Sequence, residues 1–139
     1  MVGFDGSDHS AAALEYAFEE AARRQAGLRA IHTWQMPVVG PGATVYTPLV
    51  EDILAAERRV STDTLAPWRE KYPRIEVEQT LVCGHPVGVI YEASADADLV
   101  VVGCRGLGRF GSAVLGSVSH GVLHHARCPV AVLRAREEA

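Results

Sequence analysis

Leu99-Val100-Val101-Val102-Gly103 leads straight into Cys104-Arg105-Gly106-Leu107-Gly108-Arg109-Phe110-Gly111-Ser112-Ala113-Val114-Leu115-Gly116-Ser117-Val118-Ser119. This short aliphatic run dominated by valine reads as the most hydrophobic strand of the chain. The segment after it carries five glycines from Gly103 to Gly116. Without side chains, such residues let backbone amides close around a phosphate. Ser117 then stands where a helix begins, adding a hydroxyl and the positive end of the helix dipole. Charge placement agrees, because no Asp or Glu occurs between Leu99 and Arg136 while Arg105, Arg109, Arg127, Arg134 and Arg136 do. The local field is positive in a chain whose formal charge is −4, so an anion is expected at the end of this strand.

Working outward, short Val- and Ile-rich runs alternate with helix-period segments, which is the sequence form of repeated βα units. Five strands are expected: Val2 to Asp5, Leu28 to Trp34, Ile75 to Val82, Leu99 to Gly103 and Val130 to Leu133. Helix one follows Ser7 or Ser10 as cap, buries Leu14, Ala17, Phe18 and Ala21, and ends at Gly27. Helix two runs from about Pro48 with Val50, Ile53, Leu54, Glu57 and Val60 in helical period. Pro67 should kink or stop it, with one more turn over Trp68 to Tyr72. Helix three starts near Pro86 and is short because of Gly88. Helix four follows Ser117 and turns Val118, Val122, Leu123 and Ala126 to the sheet, while Gln35 to Thr47 reads as a long loop.

Composition bounds the function. The chain has 139 residues, 48% hydrophobic and 22% charged, which describes a single globular domain over residues 1–139. With 13 basic against 17 acidic side chains it lacks the basic balance of a nucleic-acid module. No aliphatic run approaches the ~20 residues of a membrane span, so neither nucleic acid nor membrane is an expected partner and a cytoplasmic protein is the expectation. Cys83, Cys104 and Cys128 form no close pair, an odd count suited to a reducing compartment. Two phosphate motifs fail. A P-loop needs a lysine after its last glycine, and no lysine follows Lys71. Gly106 to Gly111 matches G-x-G-x-x-G, but the strand ending at Leu133 brings no ribose-binding acid and too little chain remains for a dinucleotide fold.

The spacing Gly103-x2-Gly106-x9-Gly116-Ser117, with Val2-Gly3-Phe4-Asp5-Gly6-Ser7 at the start and Cys128-Pro129-Val130-Ala131-Val132-Leu133 at the end, resembles the ATP-binding members of the universal stress protein family. The resemblance covers essentially the whole chain. It implies an α/β fold of the adenine-nucleotide alpha-hydrolase type, with a five-stranded parallel sheet in the order 3-2-1-4-5 and helices on both faces. It also implies bound ATP with Mg2+ or Mn2+, a stress-sensing or regulatory role, and a homodimer through strand five. Carried over by position, Asp5 would lie near the ribose or metal-bound phosphates and the backbone of Thr33 at the adenine edge. Gly103, Gly106, Gly116, Ser117, Val118 and Ser119 would surround ribose and phosphates, with Arg105 a candidate contact from its charge, which like Arg109 also reads as a solvated loop charge. Cys104 departs from the family, which usually has Ser, Thr or Asn there. Efficient catalysis is not expected, because phosphoryl transfer needs a charge clamp and an oriented nucleophile for which only Asp5, Arg105 and Arg109 are available.

Plainer roles stand beside these. Asp5 is also a turn residue, Ser7 a cap, and Ser117 and Ser119 caps even of an empty site. His120 and His124 are one helical turn apart with His125 and Cys128 close by, a spacing from which zinc could be bound, but no fourth ligand is oriented and they read as surface or cap histidines, so no metal site is expected. Cys83 and Cys128 read as small apolar residues, Cys104 as the one thiol with reactive potential, and His32 as a sheet residue. The alternatives to nucleotide binding are a dimerising interaction module of the same fold and an enzyme using Cys104 as redox nucleophile.

Overall fold

The computed structural model describes residues 1–35, 47–104 and 116–136. They form strands β1 (Val2–Gly3), β2 (Leu28–Trp34), β3 (Val77–Cys83), β4 (Val100–Gly103) and β5 (Val130–Leu133). The helices between them are α1 (Asp8–Arg24), α2 (Thr47–Lys71), α3 (Pro86–Ser94) and α4 (Ser117–His125). All strand pairs are parallel and the order is β3-β2-β1-β4-β5, as expected. The chain thus reverses direction across the sheet between β1 and β4, and the crevice at their carboxyl ends is where an open α/β sheet takes its ligand.

The strand alternation sorts the core into two layers. Val101 packs with Val2, Leu14, Phe18 and Leu65 on the α1 and α2 side, whereas Val100 and Val102 pack with Ile90 and Val122 on the α3 and α4 side. Among the described residues no helix is long and apolar enough to cross a membrane.

Several local expectations are corrected by packing. β1 ends at Gly3 rather than Asp5, because the chain turns away at Asp5 to enter α1. α1 is closed by Gln25 in the left-handed conformation (φ 52°, ψ 43°), two residues before Gly27. Pro67 does not stop α2, which continues to Lys71. Pro67 is exposed, and the carbonyl it leaves without a donor belongs to exposed Asp63, where water can bond it. On the opposite side, Trp68 and Tyr72 stack on buried Phe18, with ring centres at 6.0 and 5.6 Å, and hold the last turn down. Val60 is 50% exposed, and Ser61, fully buried, takes the inward place. The Ser61 hydroxyl accepts a bond from Gln79 of β3 at 3.0 Å, which makes a polar residue tolerable there. Leu123 is 44% exposed and does not face the sheet. Cys83 is exposed at the end of β3, not a core residue. Of the loop expected from Gln35 to Thr47, residues 36–46 lie outside the described residues.

Candidate functional site

At the carboxyl end of β1 a small hydrogen-bonded turn fixes Asp5. Its Oδ1 accepts from the Ser7 amide at 2.9 Å, and its own amide donates to Ser10 Oγ at 2.9 Å. Ser7 is the cap of α1, its Oγ accepting from the Ser10 amide at 3.2 Å. Gly6 sits at φ +84°, a conformation that disfavours any side chain and lets the turn close. Asp5 therefore has both roles open to it: one oxygen shapes the turn, and the other has no hydrogen-bond partner among the described residues. Beside it, Ile31 of β2 turns its carbonyl toward β1, where it accepts from the Phe4 amide at 3.1 Å. Thr33, two residues on, turns its backbone groups the same way. By that point β1 has departed, so the Thr33 amide and carbonyl face the crevice.

The end of β4 is held from three sides around Cys104. Its amide donates to Leu133 of β5 at 2.6 Å, and its carbonyl accepts from the Gly116 amide at 2.7 Å. The Ser119 hydroxyl, buried, lies 2.9 Å from the same carbonyl and 3.0 Å from that of Gly116, so its single hydrogen is shared between them. Ser119 thus latches α4 onto β4. Ser117 is exposed and Val118 half-buried at the first turn of α4. Arg105 and Gly106 lie outside the described residues. Gly103 has a structural reason of its own: a Cβ there would stand 2.8 Å from the carbonyl carbon and oxygen of His9, in the first turn of α1.

His9, which carries no signal in the sequence, joins these elements. Its Nδ1 accepts from the Ala135 amide at 2.8 Å, beyond β5, and lies 3.3 Å from Cys104 Sγ. Through these two contacts His9 joins the start of α1 to the ends of β4 and β5. Cys104 is buried, so the geometry gives no support to a redox nucleophile. Burial pushes the Cys128 thiol up from its ordinary range.

His32 and Glu57 are a second pair that sequence reasoning did not join. His32 is buried in β2; its Nδ1 is 3.0 Å from the Phe4 carbonyl and its Nε2 is 2.8 Å from Glu57 Oε2. A carbonyl only accepts, so Nδ1 carries a hydrogen toward Phe4, and Nε2 faces the carboxyl. This chain of contacts ties α2 to the end of β1 directly before Asp5. The available signal was Glu57 itself, a carboxylate in the inward stripe of α2. Glu57→Ala leaves the buried Nε2 without a partner and is expected to destabilise the fold by about 1–3 kcal/mol. Glu57→Gln, whose amide can donate to a neutral Nε2, should recover most of this in urea denaturation.

A cleft of about 270 Å³ opens at the amino ends of the strands, bordered by Glu20, Arg24, Arg29, Glu76 and Asp98. It is the wrong end of a parallel sheet for a phosphate, and its charged side chains are five acids against two arginines. Among the described residues no group of three or more His, Cys, Asp and Glu assembles to hold a metal.

The sequence model of the universal stress protein family matches residues 1–134. The chain belongs to the universal stress protein family. A universal stress protein of Mycobacterium tuberculosis is 43% identical over 136 residues, covering 96% of this chain. The chain spans 44% of that relative's length. Among solved structures, the universal stress protein UspA from Lactobacillus plantarum aligns with a TM-score of 0.81 at 25% identity, covering 96% of each chain. A universal stress protein solved in complex with cAMP aligns with a TM-score of 0.68 at 25% identity, covering 97% of this chain and 95% of its own. In this universal stress protein chain Asp5, Thr33, Gly103, Gly116, Ser117, Val118 and Ser119 all stand at the carboxyl end of the sheet or on the first turn of the helix that follows it.

Proposed function

We propose that this universal stress protein chain binds an adenine nucleotide, ATP with Mg2+ or Mn2+, in the crevice between β1 and β4, and serves as a sensing or regulatory module. The carrying observation is Gly116. It caps α4 with φ −62° and ψ 158°, a backbone that any residue adopts, so the conformation does not require glycine there. Ser7 and His85 supply side-chain caps to α1 and α3, but among the described residues no side chain caps α4. Among the described residues its first amides are left for an anion. The uncommitted Asp5 oxygen suits a ribose hydroxyl or the divalent cation, and the Thr33 backbone suits the adenine edge. The relative solved with cAMP supports the same ligand class. Arg105 belongs to this reading as a phosphate contact and Gly106 as part of the phosphate loop. Turnover in this reading is slow at most, since phosphoryl transfer needs both a charge clamp and an oriented nucleophile.

Gentle denaturation of purified protein, with analysis of released small molecules, tests this directly. Calorimetric titration of ATP and Mg2+ into the emptied chain should then give about one site per chain. No released nucleotide and no heat from micromolar to millimolar ATP would leave the dimerising interaction module as the better account.

The proposed homodimer uses β5, which closes one edge of the sheet. Pro129 and Leu133 turn their carbonyls to β4, accepting from Val100 and Cys104, so the Val130 and Val132 amides point outward. Val132→Pro removes only an outward donor and is expected to convert dimer to monomer in sedimentation velocity. A dimer that survives it would place the interface elsewhere.

A further inference from the structure

We infer that His120 and His124 form an open two-imidazole chelate for a divalent transition cation on the exposed side of α4. Of the six histidines, His9, His32 and His85 each engage a ring nitrogen in a hydrogen bond within the protein. The other three lie on or at the end of α4, and all are exposed. His120 and His124 are four residues apart and so share a face, whereas His125 is turned off it. Among the described residues, neither His120 nor His124 has a side-chain hydrogen bond. Their rings stand edge to face with centroids 4.4 Å apart.

That separation is the informative quantity. A cation about 2.0–2.1 Å from one nitrogen of each ring has ring centres about 3.2 Å away, so ligands at about 90° place them about 4.5 Å apart and tetrahedral ones about 5.2 Å. The observed 4.4 Å matches the right-angled arrangement. Right angles belong to square-planar and octahedral coordination, and nitrogen donors of this kind rank Cu2+ above Ni2+ in affinity. Since no third His, Cys, Asp or Glu joins them among the described residues, water or an incoming ligand takes the remaining positions. The cation would span one turn of α4, a helix of nine residues too short to be stable alone. Binding to the folded form then raises the stability of the domain by mass action.

The test is calorimetric titration of Cu2+, and separately Ni2+, into chelator-stripped full chain without nucleotide in a non-coordinating buffer, with thermal melts alongside. One cation per chain and a higher melting temperature are expected. His120→Ala and His124→Ala should each weaken binding at least tenfold and remove the rise in melting temperature, while His125→Ala stays within about twofold of the parent. Because the side chains are exposed, circular dichroism of all three variants should match the parent. Unchanged affinity in His124→Ala, or an equal loss in His125→Ala, would overturn the site.

Discussion

Gly103→Val is expected to destabilise the domain by about 3 kcal/mol or more, at the upper end of overpacking substitutions, and to lower the melting temperature by roughly 10 °C. Its Cβ would meet His9 backbone atoms at 2.8 Å and the Ser10 amide nitrogen at 3.0 Å. Backbone cannot rotate aside as a side-chain methyl can, so α1 would have to withdraw from the end of β4. His9 and Ser10 belong to the turn that holds Asp5 and to the contacts with Cys104 and Ala135, so withdrawal strips several hydrogen bonds at once. A loss of this size is a large fraction of the ~5–15 kcal/mol that holds a domain together. Urea denaturation should show a lower midpoint with an unchanged slope. A midpoint within error of the parent would mean that β4 and α1 do not approach as closely as described.

Gly116→Asp should do the opposite: leave stability unchanged or raise it, and lower the affinity for ATP by about 100-fold or more. Aspartate is a favoured cap, its carboxylate accepting from the free amides at the start of α4. The same carboxylate occupies the place proposed for a phosphate and repels it. Two like charges about 4 Å apart repel by about 4 kcal/mol near a protein surface, and each 1.4 kcal/mol is tenfold in affinity. Circular dichroism melts and calorimetry on the one variant separate the two effects. Retained ATP affinity would move the phosphate site away from α4, and a large fall in stability would make Gly116 a packing residue. The two glycines stand at either end of one segment, yet one serves the fold and the other, in this proposal, the ligand.

Much of the architecture could be read locally. The valine run of β4 shows both its two-sided burial and its parallel setting, because side chains alternate across a strand and both faces were apolar. Element types and the edge of the sheet where a ligand belongs followed from such periods, together with the family resemblance for the strand order. Position was legible too for Asp5, Thr33, Gly103 and Gly116, since a strand end is marked by the chain itself.

What each residue does there was decided by packing. Gly103 looks like one more phosphate-loop glycine until α1 is laid across it, and that contact joins parts of the chain 95 residues apart when followed through Cys104 and His9. Glu57 is an anomaly in an apolar stripe until β2 brings His32 to it. Pro67 reads as a helix stop because its missing donor is a local property, and the helix continues because Phe18 holds the aromatic residues beyond it. The sequence by itself determined the elements, the parallel α/β class and the strand ends at which a ligand is proposed, for their causes act between near neighbours along the chain. Tertiary structure alone decided which glycine is required for packing, which serine is a latch and which histidines are buried partners, because those depend on atoms that only close packing between distant elements brings within a few ångströms.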